Sequence, residues 1–446
     1  MEVREANAGY LVAANKRVPA GYKQTEVGVI PEDWKVKRLG DLFTFSGGYS
    51  ASRDQLSTEG HCYLHYGDIH KSSKTYIDVR AEYQDIPKLA IPLKSVSASS
   101  LLDDGDVVFV DASEDDEGTS KHVVVVNKEK KPFISGLHTI VAKCNTDELA
   151  HEYRCYCFQT PAIRQQFLFY AVGTKVSGIS KTNIAKITLP VPSVPEQTAI
   201  AEALSDADAL IESLEQLLTK KRHLKQGAMQ QLLTGKKRLP GFSGEWEVVN
   251  SSDIGRFRGG SGFPIKFQGA TSGEYPFFKV SDMNSEGNET FMQTANNYIS
   301  EALRKQLGAT AFPPNSIVFA KVGAAVFLER KKILTQVSCL DNNMAGFVLN
   351  PDRADCRFIH YVLLNTKLGD LVSTTALPSL SGSVLAAIEL ELPSLAEQIA
   401  IAAILSDMDA ELAALEAKLA KARSLKQGMM QELLTGRIRL PLDAAA

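Results

Sequence analysis

The sequence predicts an α+β chain built as an internal repeat: domain, long helix, domain, long helix. Three observations carry that reading. Ser193 to Pro240 and Ser394 to Pro441 align without a gap, and from Glu196 and Glu397 onward roughly 28 of 45 positions are identical. The segments before them align too: Trp34 with Trp246, Val36 with Val248, Asp41 with Asp253, Phe45 with Phe257, and Gly47-Gly48 with Gly259-Gly260. Between these anchors, strand-like and helix-like runs follow one another without regular βαβ alternation.

The repeated segments read as helices. Each opens S-x-x-E, with Ser193 and Ser394 at the N-cap and Glu196 and Glu397 at N3, the pattern of a capping box. Each closes on T-G and basic residues. Gly235 and Gly436 suit the left-handed position past a helix end, and Lys236, Lys237, Arg437 and Arg439 suit its negative pole. The inner faces repeat at spacings of four and three: Ile200, Leu204, Ala207, Ile211, Leu214 and Leu218, then Ile401, Leu405, Met408, Leu412, Leu415, Leu419 and Ala422. Such a narrow seam asks for a partner helix rather than a broad core, and the chain holds one. About 40 residues give a rod of roughly 60 Å.

At 446 residues the chain has room for two to four domains, each burying its own core. The expected division is 1–30 as a loosely ordered start, 31–190 as the first domain, 191–240 as the first helix, 241–391 as the second domain and 392–446 as the second helix and tail. No apolar run approaches the ~18 residues of a membrane span, and the start lacks a secretory pattern, so the expected place is the cytoplasm. Six cysteines without a CxxC pattern read as reduced and buried. With a net charge of −3, any contact with nucleic acid must come from local basic surfaces.

Inside the two domains the signals match in order. An aromatic-rich strand comes first, CYLHYGDI and YPFFKVSDM; then a turn and strand, DDGDVVFV and PPNSIVFA; then a closing helix, HEYRCYCFQTPAIRQQFLFYAVG and CRFIHYVLLNTKLGDLVSTTA. Beyond these scaffold positions the domains differ greatly. One frame with different contents suggests two binding heads for two targets.

No pattern for catalysis emerges. The chain lacks a Gly-rich cofactor loop after a strand, an N/D-P-P-aromatic motif and a G-x-x-x-x-G-K-[ST] loop. Phe312-Pro313-Pro314-Asn315 has the order reversed. Two E-x-K triplets, Glu129 with Lys131 and Glu329 with Lys331, fall out of register with the repeat, so a metal-dependent nuclease is not expected. His61, Cys62, His65 and His70 have no second ligand pair, so no metal site is expected either.

Three motifs carry a resemblance: Y-K-x-T-E-x-G-x-I-P-x-D-W-x-V at Tyr22 to Val36, I-S-K-x-x-I-x-x-I-x-L-P at Ile179 to Pro190, and the doubled P-S-x-x-E-Q…L-K-Q-G-x-M-Q-x-L-L-T-G. The chain resembles the specificity subunit of type I restriction–modification enzymes over nearly its whole length. That resemblance implies two target recognition domains, each reading one half of a bipartite DNA site. It implies an antiparallel coiled coil of the two helices, with pseudo-twofold symmetry, that spaces the domains and docks methyltransferase subunits, one per half-site. It implies no catalysis in this chain, S-adenosylmethionine in the methyltransferase partner, and a motor-endonuclease subunit in the full complex. One departure stands out. The second copy has Ser381-Gly382-Ser383 where the first has Ser180-Lys181-Thr182, and so lacks the lysine.

DNA contact then falls to polar loops able to reach phosphates or base edges. In the first domain the candidates are Arg53, Lys71, Ser72, Lys74, Lys121, Ser180 and Lys181. In the second they are Arg256, Arg258, Lys266, Lys279, Asn284, Asn342 and Asn343. The acidic run Glu114 to Glu117 should face away from DNA or form a mobile loop. Lys220, Lys221, Arg222 and Lys225 on the first helix are open to two readings, a solvated face or contact with DNA or a partner. The alternative from another class is an assembly scaffold with two ligand-binding domains and no DNA role.

Overall fold

The computed structural model describes residues 18–441, apart from 73, 114–117, 119, 120, 174–176 and 373–377. The chain forms two compact units, Met1–Leu214 with Lys418–Ala446, and Glu215–Ala417. These cut across the linear division expected from sequence. Each unit joins one globular domain to half of each long helix, α1 (Val194–Leu232) and α2 (Leu395–Leu433).

In the first unit a five-stranded sheet holds β1 (Phe43–Gly47), β2 (Tyr76–Asp78), β3 (Val107–Val110), β4 (His122–Val126) and β5 (Thr139–Cys144), in the order β1-β5-β3-β4-β2. Only the β4–β2 pair is parallel. The run VVFV of β3 is buried throughout because both faces of the sheet are covered. Val107 and Phe109 pack into the core that also takes Ile200, Ala201, Leu204, Leu433 and Leu434 of the helical segments. Val108 and Val110 turn the other way, against Leu64 and Phe133 of a smaller sheet. Strand alternation therefore feeds two cores from one sequence run.

The second unit repeats this plan. Its sheet holds β6 (Gly255–Gly259), β7 (Phe291–Met292), β8 (Ile317–Ala320), β9 (Lys331–Leu334) and β10 (Met344–Leu349), ordered β6-β10-β8-β9-β7, again with a single parallel pair, β9–β7. Ile317 and Phe319 join the core of Leu232, Leu233, Ile401, Ala402 and Leu405, while Val318 joins Phe278 and Leu340 on the far face. In both units the small sheet pairs its aromatic-rich strand in parallel with a later one, His61–Leu64 with Phe133–Ser135 and Tyr275–Phe278 with Cys339–Leu340.

The helix pair is antiparallel within each unit. In the first, Lys426 bonds Asp208 and Arg439 bonds Glu196, so one chain direction runs against the other. In the second, Lys221 pairs with Glu411, Arg222 with Glu416 and Lys225 with Asp409. Seam residues Ile200, Leu204, Leu214, Leu218, Ile401, Leu405 and Leu419 are buried; Ile211, Leu412 and Leu415 are half-buried. The left-handed glycines stand where expected, Gly235 at φ 65° and Gly436 at φ 69°.

Two expectations need correction. The helix starts use only half of a capping box. Ser193 and Ser394 accept the N–H of Glu196 and Glu397, but the carboxylates do not return to the cap. They are drawn away by arginine partners that a purely local reading misses. The loosely ordered start is not found over residues 22–31 either. Tyr22–Thr25 and Gly28–Pro31 form a hairpin, and Ile30 is buried in the first core. Residues 1–17 lie outside the described part, as does the acidic run Glu114 to Glu117.

All six cysteines are free thiols. Burial pushes Cys155 and Cys356 up to about 12, and Cys157 well above its usual range. No helix among the described residues is long and apolar enough to cross a membrane.

Candidate nucleic-acid interface

In both units a glycine pair stands at one end of the five-stranded sheet, where the first strand ends and the last begins, and some of the polar candidates lie beside it. In the first unit β1 ends on Gly47, followed by Gly48. A Cβ on Gly48 would lie 1.7 Å from the Gly136 carbonyl oxygen, so the backbone passes there only as glycine. Past Gly136 the chain turns through His138 in the left-handed region, φ 59°. The His138 carbonyl accepts the N–H of Asp111, the residue that follows β3.

Tyr66 fills the space beside this turn. Its ring centroid lies 4.6 Å from His65, 5.4 Å from His138 and 6.1 Å from His70. His65 Nδ1 accepts the Gly67 N–H, and burial together with the Arg53 charge lowers the pKa of its imidazole. Arg53 donates to Asp68 Oδ1 at 2.9 Å and lies 3.2 Å from His65 Nδ1. Lys71 is exposed on the last turn of the short helix Tyr66–Lys71. Lys181 stands with its ammonium over Gly47.

In the second unit Arg256 and Arg258 project to the exposed side of β6, while Phe257 between them stacks on Phe347, with centroids 4.0 Å apart. Gly260 meets the Asp341 carbonyl as Gly48 meets Gly136. Asn342 and Asn343 are exposed on the following turn, and Asp341 Oδ1 accepts the backbone N–H of Asn343. Burial raises the pKa of Asp341, opposed by the donors of Asn343. Asn284 is exposed at the end of the turn Val280–Asn284.

Other candidates are engaged elsewhere. Lys74 reaches Glu212 on α1 at 3.5 Å and lies over the Tyr76 ring, and Ser72 ties the backbone of Lys74. Lys121 donates to the His70 carbonyl, and Ser180 caps the short helix Lys181–Ile184. Lys279 donates to Gln268 Oε1 at 3.0 Å, and Lys266 lies over the Phe267 ring. The first-helix cations Lys221, Arg222 and Lys225 pair with carboxylates of α2. Glu129 and Lys131 form a local ion pair, as do Glu329 and Lys331. No group of three His, Cys, Asp or Glu among the described residues could hold a metal.

Sequence reasoning missed the socket at each helix start. Glu196 accepts Trp34 Nε1 at 3.0 Å and two nitrogens of Arg439; Glu397 accepts two nitrogens of Arg238. The next residue stitches the helix to its domain. Gln197 accepts the Ala150 N–H and donates to the Glu148 and Pro192 carbonyls, and Gln398 does the same with Asp355, Arg353 and Pro393. A second repeat lies further along: Tyr156 and Lys426 both bond Asp208, while Tyr361 and Lys225 both bond Asp409. The signal was present in the doubled E-Q and D-x-D positions, but their partners lie far off in the chain.

Residues 31–220 and 243–422 match the family model described as the type I restriction modification DNA specificity domain. The type I restriction enzyme MjaVIII specificity subunit of Methanocaldococcus jannaschii is 22% identical over 432 residues, covering 92% of this chain and 94% of that protein. The type I restriction–modification S subunit of M. genitalium shares the fold, with a TM-score of 0.55, 14% identity, and coverage of 90% of this chain and 96% of that one. A chain from a structure on assembly and conformational transition of the type I R-M system matches with a TM-score of 0.51 at 16% identity, covering 92% and 99%. With both halves matched by the same family, the chain belongs to the specificity subunits of type I restriction–modification systems.

Proposed function

We propose that the chain reads a bipartite, asymmetric DNA site, one domain per half-site, and performs no chemistry itself. The observation that carries this reading is the pair of five-stranded sheets of like order with unlike polar side chains exposed on and around them. The first presents Arg53, Tyr66, Lys71, His138 and Lys181; the second presents Arg256, Arg258, Asn342 and Asn343. A shared frame places each domain alike on a duplex, while differing side chains read different bases. Arginine and asparagine are the side chains suited to guanine and adenine edges.

On this reading two methyltransferase subunits dock on the chain and hold S-adenosylmethionine. A motor-endonuclease subunit completes the restriction complex, which works in the cytoplasm. The test is to express the chain with its methyltransferase partner and map methylated bases in cellular DNA. Two unlike half-sites separated by unread bases support the proposal. Methylation by the purified chain alone, or sequence-independent retention of DNA, would overturn it. Retention should fall steeply as salt rises, since phosphate contacts release counterions.

A further inference from the structure

The second domain lacks the lysine that the first carries at Lys181, yet an ammonium occupies the corresponding place. In the first unit Lys181 Nζ lies 3.7 Å from the point where a Cβ on Gly47 would stand. In the second, the residue aligned with Lys181 is Gly382, which has no side chain to offer. Lys321 Nζ instead lies 2.6 Å from the Cβ point of Gly259, the residue aligned with Gly47. This lysine follows β8, not the short helix.

The exchange is one of backbone position. Lys321 donates its N–H to the Asn343 carbonyl, as Asp111 donates to that of His138. At this point of the frame the first unit has a carboxylate and the second an ammonium. From the first unit to the second the cation moves from the helix start to the neighbouring strand end, while its head stays over the first glycine of the pair. Gly259 leaves the space that the ammonium takes, and a Cβ there would only displace the end of this flexible side chain. Lys181 is exposed and Lys321 half-buried, and among the described residues neither pairs with a carboxylate.

We propose that Lys181 and Lys321 are equivalent anchors for a DNA backbone phosphate, one in each recognition domain. An ammonium is a compact point charge that binds a phosphate oxygen without reading the base beside it. A glycine beneath it leaves room for the sugar–phosphate chain to approach. This inference rests on the DNA-reading function proposed above, and names a residue, Lys321, that the repeat alone would not single out.

The experiment uses the full chain assembled with its methyltransferase partner. Two labelled duplexes serve as probes, one with the motif found by methylation mapping and one with that motif scrambled. K321Q should weaken binding to both by a similar factor, about three- to tenfold. It should also reduce the slope of log affinity against log salt by about 0.9, the value for one phosphate. The methylated motif should keep its letters. K321Q/G382K should recover affinity and slope, because Gly382 has open space around its Cβ point and its backbone does not need glycine. Thermal melting of each variant checks that the fold is kept. Wild-type affinity and slope in K321Q would overturn the proposal, as would a loss confined to the motif duplex or a folded double variant without recovery. If the wild-type assembly itself retains neither duplex, the DNA-reading function fails, and not this assignment alone.

Discussion

Arg439 grips Glu196 with two nitrogens, Nε on Oε1 at 2.8 Å and Nη2 on Oε2 at 2.7 Å, from 243 positions away in the chain. Glu196 is 1% exposed. A buried carboxylate is tolerable only when its lone pairs are met, and here Trp34 Nε1 meets what the guanidinium leaves. R439M removes the charge partner and strands the carboxylate. The expected loss is roughly 3 kcal/mol, at the lower end for a broken buried pair because the arginine side is part-exposed. Urea unfolding measures it, and R439K should fall between, since an ammonium cannot form the two-pronged contact. A stability change below about 0.5 kcal/mol in R439M, the size of an ordinary surface substitution, would remove the pair from the list of contacts that hold the unit together.

The seam can be tested against the surface of the same helices. Leu204 and Leu405 are fully buried, one in each unit, whereas Leu210 is 46% exposed. L204A and L405A should each cost about 2–5 kcal/mol, and L210A within about 0.5 kcal/mol. Denaturant midpoints for the three variants decide it. Equal effects at Leu204 and Leu210 would contradict the packing described.

His360 predicts a pH dependence. Its Nε2 lies 2.9 Å from the Lys331 carbonyl oxygen, and burial lowers the pKa of its imidazole from 6.5. Lys332 and Lys225 push the same way, while the carbonyl and Asp409 oppose. The folded state therefore holds neutral imidazole, and the unfolded chain takes up the proton first as pH falls. Stability from this group is complete above about 6.5 and declines as pH falls below it. Comparing unfolding at pH 7.5 and 5.5, wild type should lose more stability than H360Q. An equal or larger loss in H360Q would rule the histidine out as the source.

The segment after α2 lies against the start of the first domain. Tyr22 donates to the Gly436 carbonyl at 2.8 Å, and Arg439 reaches Asp33 as well as Glu196. A permutant that joins the C-terminal segment to Val18, ahead of the Tyr22–Pro31 hairpin, through a short flexible linker, with new ends opened between Gly241 and Gly244, should fold and keep the methylated motif. Circular dichroism and methylation mapping are the readouts. Failure to fold would mean that this proximity does not support a cyclic connection.

Much of the architecture was legible because it is written twice. The gapless repeat of α1 and α2, their seams and the paired Gly-Gly turns predicted the doubled α+β plan, and the family assignment leaves the scaffold without a DNA role unsupported. Local chemistry misled wherever a side chain had a distant partner. Glu196 and Glu397 read as cap residues and proved to be sockets for arginine. Lys225 read as solvated or partner-facing and proved to bond Asp409 across the helix pair. Lys74, a candidate DNA contact, lies within 3.5 Å of Glu212, a partner that its sequence neighbours do not show. Lys321 drew no notice, since its ammonium meets Gly259 only once β8 and β6 lie in one sheet.

By itself the sequence determined the elements and their repetition, because helix periodicity, strand alternation and glycine at tight approaches are local constraints. The tertiary structure decided which charges meet. Ion pairs and hydrogen bonds act over a few ångströms in space, and Arg439 comes within that range of Glu196 only after α2 has turned back along α1.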